Sequence, residues 1–293
     1  MFNPTDEWYS CLFGQDSPTA TLISVPIPPI TPFPFGERSS LGRRFLWQAD
    51  TPLPERRQAA LDVGAHMWIP NQFACDSITI GESAESARRR LHEWWDVTDA
   101  ISARKTVGQL LDGMHSSTFE VIAPLVAEAM KKTAGHDPSA HREFLATRAA
   151  ARGSSPGYWI THYDALYTLR TSKVLRNSVT DKYFPTHIRA WDLGRVPFVV
   201  RTALRSGYLQ EDECWPMLFA ALDSARGYYA NWRQFAHGVV IGRAYWSAIT
   251  DIGTTAEKAQ VAGDWVNALL VRSDSPWRRL PLWPEEHPQR RVT

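Results

Sequence analysis

Residues 190–215 read AWDLGRVPFVVRTALRSGYLQEDECW. The stretch decides the fold class because it joins two helix-forming segments through a glycine-centred break. Asp192 and Arg195 stand three apart, so both can lie on one helix face. Pro197 lacks a backbone donor and clashes with the carbonyl four residues back, which predicts a kink or a late helix start within 189–204. Gly207 suits the left-handed conformation that ends a helix. The run Gln210-Glu211-Asp212-Glu213 then loads acid into the next first turn, as the helix dipole favours. Trp215, Leu218, Phe219, Leu222 and Tyr229 follow at helical spacing, the pattern of an amphipathic helix packed on a core.

Outward from this stretch, helical signals fill the chain from Ser83 onward. Ser83 is a cap before SAESARRRLHEWW, and Thr98 opens a segment striped with Ile101, Val107, Leu110 and Leu111. STFE at 117–120 reads as a capping box, and Asp137-Pro138 as a cap followed by a first-turn proline. Tyr163, Leu166, Tyr167 and Leu169 fall on or near one face. Asn231 with Gln234, and Thr254 with Glu257, predict two further boxed helix starts. Only 21–25 and 77–80 are weak strand candidates, and no repeat of fixed period is visible.

Residues 1–80 have a different character. Pro26, Pro28, Pro29, Pro32 and Pro34 forbid a helix or a central strand and predict an extended segment. Its spaced Ile27, Ile30, Phe33 and Phe35 suggest an arm laid on the body, while a ligand for a proline-binding module is the competing reading. A short helix is expected around 54–68. The expected architecture is therefore mainly α: a multi-helix globular domain over 81–293, with an extended Pro-rich N-terminal arm and short elements over 1–80.

The chain has 293 residues, 44% hydrophobic, with a formal charge of +1. No global field draws it to nucleic acid or to an anionic membrane, and neither is expected as a partner. Arg88-Arg89-Arg90, Arg278-Arg279 and Arg290-Arg291 read as solvated faces or frayed ends. Cys11, Cys75 and Cys214 form no CxxC and no disulfide framework, which favours a reducing compartment. The N-terminus has no secretory signature and no run of about 18 apolar residues occurs, so a cytoplasmic location is expected. The 13 tryptophans call for many helix-packing anchors or one aromatic-lined cavity.

Catalytic signatures are missing. There is no HExxH, no paired Cys/His spacing, no P-loop, no GxGxxG and no GxSxG elbow. No catalytic residue, metal or cofactor is expected. His162, His187 and His237 read as core or solvated histidines, and Cys214, near a helix start, lacks a patterned histidine.

AWDLGR, SGYLQEDECW, NWRQFAHGVVIGRAYW and SPWRRLPLW follow one another in the order and spacing of a known pattern. With them the chain resembles the bacterial domain-of-unknown-function family 1266, from about Leu91 to Trp283. The matching positions are Trp191, Asp192, Gly194, Arg195, Gly207, Tyr208, Glu213, Trp215, Trp232, Phe235, Gly242, Arg243, Trp246, Pro276 and Trp277. Gln210 departs from the family's usual Ser or Thr cap, and Pro197 interrupts a helix the family usually continues. The resemblance implies a helical fold and brings no substrate.

The candidate site is a cluster of Asp192, Arg195, Glu213 and Arg243 floored by Trp191, Trp215 and Trp246. On one reading it is a structural ion-pair network, each carboxylate holding an arginine across a helix crossing. On the other it lines a pocket, where arginine grips a carboxylate or phosphate and an acid acts as base. Gly238 and Gly242, four apart, flatten one helix face for a close neighbour under either reading. The leading functional expectation is a non-enzymatic protein-binding module with a protein partner, in the manner of an immunity or regulatory protein. The alternative is an enzyme or small-molecule sensor built on the Asp/Arg/Glu pocket.

Overall fold

The computed structural model describes residues 44–131, 138–151, 153, 155–171 and 185–284. The proline-rich stretch, Cys11, the candidate strand at 21–25 and the Asp137 cap lie outside the described residues. Helix follows helix. α1 (Glu55–Asp62) leads through a 3-10 turn (Ala65–Met67) into α2 (Trp68–Asn71). Next come α3 (Ala84–Trp95), α4 (Ala100–Asp112), α5 (Ser116–Lys131), α6 (Pro138–Ala150) and α7 (Pro156–Thr171). The C-terminal part holds α8 (Arg189–Leu193), α9 (Val196–Ser206), α10 (Glu211–Tyr228), α11 (Trp232–Thr250), α12 (Thr255–Val271) and α13 (Pro276–Arg279). The fold is mainly α, and among the described residues the only β feature is an isolated bridge between Leu46 and Ala74.

Several helix starts follow the local chemistry. Ser83 Oγ accepts from Ser86 N at 3.1 Å, and Asn231 Oδ1 accepts from Gln234 N at 3.0 Å. Gln234 reaches back one residue further than expected, to Ala230 N at 2.9 Å. α4 is capped by Asp99 rather than Thr98: Asp99 Oδ1 accepts from Ser102 N at 2.7 Å, and Ser102 Oγ returns the bond to Asp99 N. Thr254 caps nothing; its hydroxyl donates to Asp251, whose own side chain caps a 3-10 turn at Ile252–Thr254. Gly207 ends α9 at φ 83°, as expected of a residue without Cβ. The expected long helix over 189–204 divides into α8 and α9, and Pro197 sits in the first turn of α9, where its missing N–H needs no partner.

The candidate strand at 77–80 is a loop instead. Fully buried Arg201 collects its backbone, donating to Ala74 O at 2.8 Å, Ile78 O at 3.4 Å and Thr79 O at 3.1 Å. Those carbonyls turn to a guanidinium rather than to a neighbouring strand.

α11 is the axis of the body. Phe235, Val239 and Val240 belong to a core shared with Phe45, Leu61, Trp68, Phe198 and Leu222. Ile241, Ala244 and Tyr245 belong to a second core with Phe119, Ile122, Trp159 and Leu166 of α5 and α7. A helix apolar nearly all round has to be enclosed, and α8, α7 and α12 enclose it. Gly238 and Gly242 face α8. A Cβ at Gly242 would overlap Trp191 Cβ and Cγ, and one at Gly238 would stand 2.9 Å from Ala190 Cβ.

Among the described residues, many of the tryptophans serve one of the two uses their number suggests. One set staples the backbone: Trp277 Nε1 donates to Asp62 O at 2.7 Å and Trp47 Nε1 to Asp274 O at 3.1 Å. Trp232 Nε1 donates to Leu280 O and Trp283 Nε1 to Tyr229 O, while Trp232 and Trp277 stack at 5.0 Å. The other set lines a cleft.

Candidate functional site

Asp192 lies in α8 and is fully buried. Its position is fixed from behind, because Tyr229 OH accepts from Ala190 N at 2.8 Å. The carboxylate faces the start of α5, accepting from Ser116 N at 2.8 Å and His115 N at 3.1 Å. It is therefore the cap of α5. The local STFE box at 117–120 does not serve, because the helix already begins at Ser116. Arg195 Nη2 donates to Asp192 Oδ1 at 2.5 Å, and Arg195 Nε donates to Trp191 O at 2.9 Å. His115 Nδ1 completes the cluster, 3.0 Å from Asp192 Oδ1 and 2.7 Å from Arg195 Nη2.

Burial works against charge on Asp192, but the bonds from His115, Arg195 and the Ser116 amide outweigh it and hold the carboxyl well below its usual range. Burial also lowers His115, reinforced by Arg195 and opposed by Asp192, so its imidazole is neutral at neutral pH. Arg195 is pushed down to about 10 by burial, helped by the nearby Arg243 and resisted by Asp192, and it keeps its charge at neutral pH.

Arg243, on α11, stands 5.7 Å from the centroid of the Trp191 ring, and Arg195 stands 4.5 Å from the same ring. Arg243 is half-buried and has no carboxylate or hydrogen-bond partner among the described residues; burial alone lowers its pKa. Two guanidiniums thus approach one indole, and Asp192 pairs with Arg195.

Beside these groups opens a cleft of about 1180 Å³. Its walls come from the 3-10 turn and α2, the end of α3, one face of α4, and α11 with α12. Trp94, Trp95, Trp191, Trp246 and Trp265 supply much of its lining, with Arg195, Arg243, His66 and His115 among the polar groups. Trp246 meets the edge of His115 at 4.3 Å.

Of the residues singled out from the sequence, the fold brings together Asp192, Arg195, Arg243, Trp191 and Trp246. It separates Glu213 and Trp215. Glu213 sits in the first turn of α10, where Oε2 accepts from Gln210 N at 3.0 Å and Oε1 pairs with Arg104 at 2.6 Å. Trp215 packs in the first core under Arg57, its Nε1 donating to Glu211. Neither residue lines the cleft.

His66 and His115 carry no sequence signal of a site, and both belong to it. His66 is 6% exposed, lines the cleft, and has neither ring nitrogen bonded. Gly194 makes its place: a Cβ there would overlap His66 Cε1. Burial, with a contribution from Arg195, holds the His66 imidazole down to about 3. Among the other histidines, His162 Nδ1 is 2.5 Å from Tyr245 OH and His187 Nδ1 is 3.2 Å from Tyr229 OH. Burial pushes the Cys214 thiol up to about 12, which removes any thiolate role. Among the described residues there is no cluster of His, Cys, Asp and Glu suited to a metal, and no helix long and apolar enough to cross a membrane.

A family model described as protein of unknown function (DUF1266) matches residues 90–282. A 65-residue stretch, 22% of the chain, is 38% identical to the uncharacterized protein YbeR of Escherichia coli (strain K12) and covers 27% of that protein's length. No solved structure matches the chain.

Proposed function

This chain belongs to the DUF1266 family of proteins of unknown function, and we propose from the site itself that it binds a small organic anion in the tryptophan-lined cleft. The observation that carries this reading is Arg243, a half-buried guanidinium on the cleft wall with no acidic partner among the described residues. A guanidinium held away from bulk water, next to a second one, favours an anion between or beside them. Trp191 and Trp246 give the ligand's body an apolar, aromatic surface.

Binding or sensing fits the groups better than catalysis. Asp192 is buried under the amides of His115 and Ser116 and the Arg195 guanidinium, and its lone pairs are already engaged. It is a structural anchor that aims Arg195, not a base open to a substrate. The protein-partner reading rests on the missing catalytic signatures and on the proline-rich segment, which lies outside the described residues.

Calorimetric titration with small carboxylates and phosphate monoesters tests the proposal. At least one class should bind the wild type, and Arg243→Gln should weaken it by about 1.5–3 kcal/mol, the usual worth of a charge-assisted hydrogen bond. Binding that is unchanged in Arg243→Gln, or no binding by any member of the set, refutes it.

A further inference from the structure

We infer that the proline-rich segment of this same chain, residues 26–35, seats in the tryptophan-lined cleft and covers it, so that the protein carries its own occupant for that surface. The inference is independent of the anion-binding reading, since a segment laid across the mouth leaves Arg243 on the wall beneath it.

The cleft has the character of a covered surface. Trp94 is 57% exposed and Val261 44% exposed, and both line it. Large apolar side chains left to water at the rim of an aromatic cleft mark a place where something docks. The charged lining says what kind of occupant fits. Arg195 is matched by Asp192, and Lys105, Arg243 and Lys258 stand against Glu93, Asp96 and Glu257, three to three. A lining balanced overall gives an extended occupant nothing to gain from net charge.

The sequence supplies such an occupant. Residues 17–36 contain no charged side chain. Within them the prolines from Pro26 to Pro34 are interleaved with Ile27, Ile30, Phe33 and Phe35, and 26–29 and 29–32 are two PxxP patterns that share Pro29. Sequences of this kind favour the polyproline conformation before they bind, which keeps the cost of ordering low, and aromatic-lined grooves receive them. The ligand announced by the prolines and the groove built by the tryptophans are thus in one chain.

Reach and length agree with this placement. The described residues begin beside the cleft. Leu46 pairs with Ala74, three residues past Asn71 of the cleft wall. Phe45 lies against Arg272 at 5.1 Å, and Arg272 follows Trp265 of another wall by about 10 Å along α12. Residues 36–43 span up to about 26 Å when extended, enough to bring Phe35 to the cleft from residue 44. Along α12 the lining runs from Glu257 to Trp265, about 12 Å, the length of about four residues of polyproline helix. Ile30–Phe35 therefore suffice to fill it, and so short a tether holds them near it at an effective concentration in the millimolar range.

Cross-linking in the full chain tests the seating. Thr31→Cys is combined either with Val261→Cys, at the cleft, or with Val271→Cys, in a Cys11→Ser background; Cys75 and Cys214 are buried. Val271 is 58% exposed, lies outside the cleft lining and adjoins Arg272, which touches Phe45. A tether that merely sweeps the surface reaches Val271 at least as readily as Val261, whereas a seated segment reaches Val261. After brief treatment with a short bis-maleimide, mass spectrometry of the monomer band should show at least about fivefold more product between positions 31 and 261 than between 31 and 271. Adding Phe33→Ser and Phe35→Ser should bring the two yields level, with the circular dichroism spectrum unchanged. Equal yields in the starting pair, or a preference that survives the double replacement, overturns the inference. A 31–261 product found only between two chains also overturns it, and assigns the cleft to a second copy.

Discussion

Asp192→Ala is the most searching perturbation of this fold. The substitution removes two supports at once: the cap of α5, through Ser116 N and His115 N, and the counter-ion of Arg195, which is itself only 6% exposed. Losing a helix cap costs about 1 kcal/mol. Stripping the partner from a buried ion costs about 3–5 kcal/mol. The same two oxygens serve both ends, so the losses overlap, and a total of about 4 kcal/mol is expected. At roughly 2–4 °C per kcal/mol for chains of comparable size, the melting temperature should fall by about 8–16 °C. Urea titration followed by tryptophan fluorescence gives the free energy directly. Arg195→Ala should cost less, because Asp192 keeps the two amide donors. The double variant should cost less than the sum of the singles by at least about 1 kcal/mol, since neither charge is then stranded. Glu213→Ala, which removes the exposed pair with Arg104 and the bond from Gln210 N, is the comparison variant and should cost no more than about 1 kcal/mol. An Asp192→Ala protein as stable as Glu213→Ala, or strict additivity with Arg195→Ala, would refute the reasoning.

Two further outcomes are expected. Gly242→Leu should destabilise by about 3 kcal/mol in the same titration, the upper end for overpacking, because even its Cβ overlaps Trp191; an unchanged midpoint would contradict the α8–α11 contact. Stability should fall as the pH drops from about 7 to about 5, because His66 and His162 are held neutral in the folded chain, at about 3 and about 4, but protonate near 6.5 once unfolded. The unfolded state then binds more protons, and each histidine contributes a loss of about 1 kcal/mol by pH about 5.5; replacing both with Gln should reduce the slope of the urea midpoint across that range without abolishing it, because His187, held at about 4, and His115, also lowered, remain.

Helices whose caps are local were legible in the sequence. Ser83 and Asn231 each bond an amide three residues on, and Gly207 needs only its own backbone freedom. Gly238 and Gly242 were legible as a pair, since spacing of four fixes a common face whatever the neighbour is. What was not legible depends on residues far apart in the chain. The α5 cap comes from Asp192, 76 residues beyond Ser116, and so the nearer STFE pattern misled. Residues 77–80 lost their chance at a strand to Arg201, and Glu213 was claimed by Arg104 rather than by α8. Five of the residues that meet at the cleft, Asp192, Arg195, Arg243, Trp191 and Trp246, were singled out in the sequence. His66 and His115 were not, because a histidine acquires its role from what surrounds it in space.

The indole staples also govern the order in which this chain can become whole during synthesis. Trp277 holds Asp62 across 215 residues, and Trp47 reaches Asp274 across 227. An earlier-made segment is therefore secured by a later-made one. While the ribosome is still extending α11 and α12, residues 45–80 have Phe198 and Leu222 to pack on but neither of these two tethers. Long-range closures of this kind slow folding and leave apolar surface open in the interval. A chain ending before Ser275 would never leave that interval: it would keep most of its helices yet expose the first core along α1, where proteases and chaperones would find it.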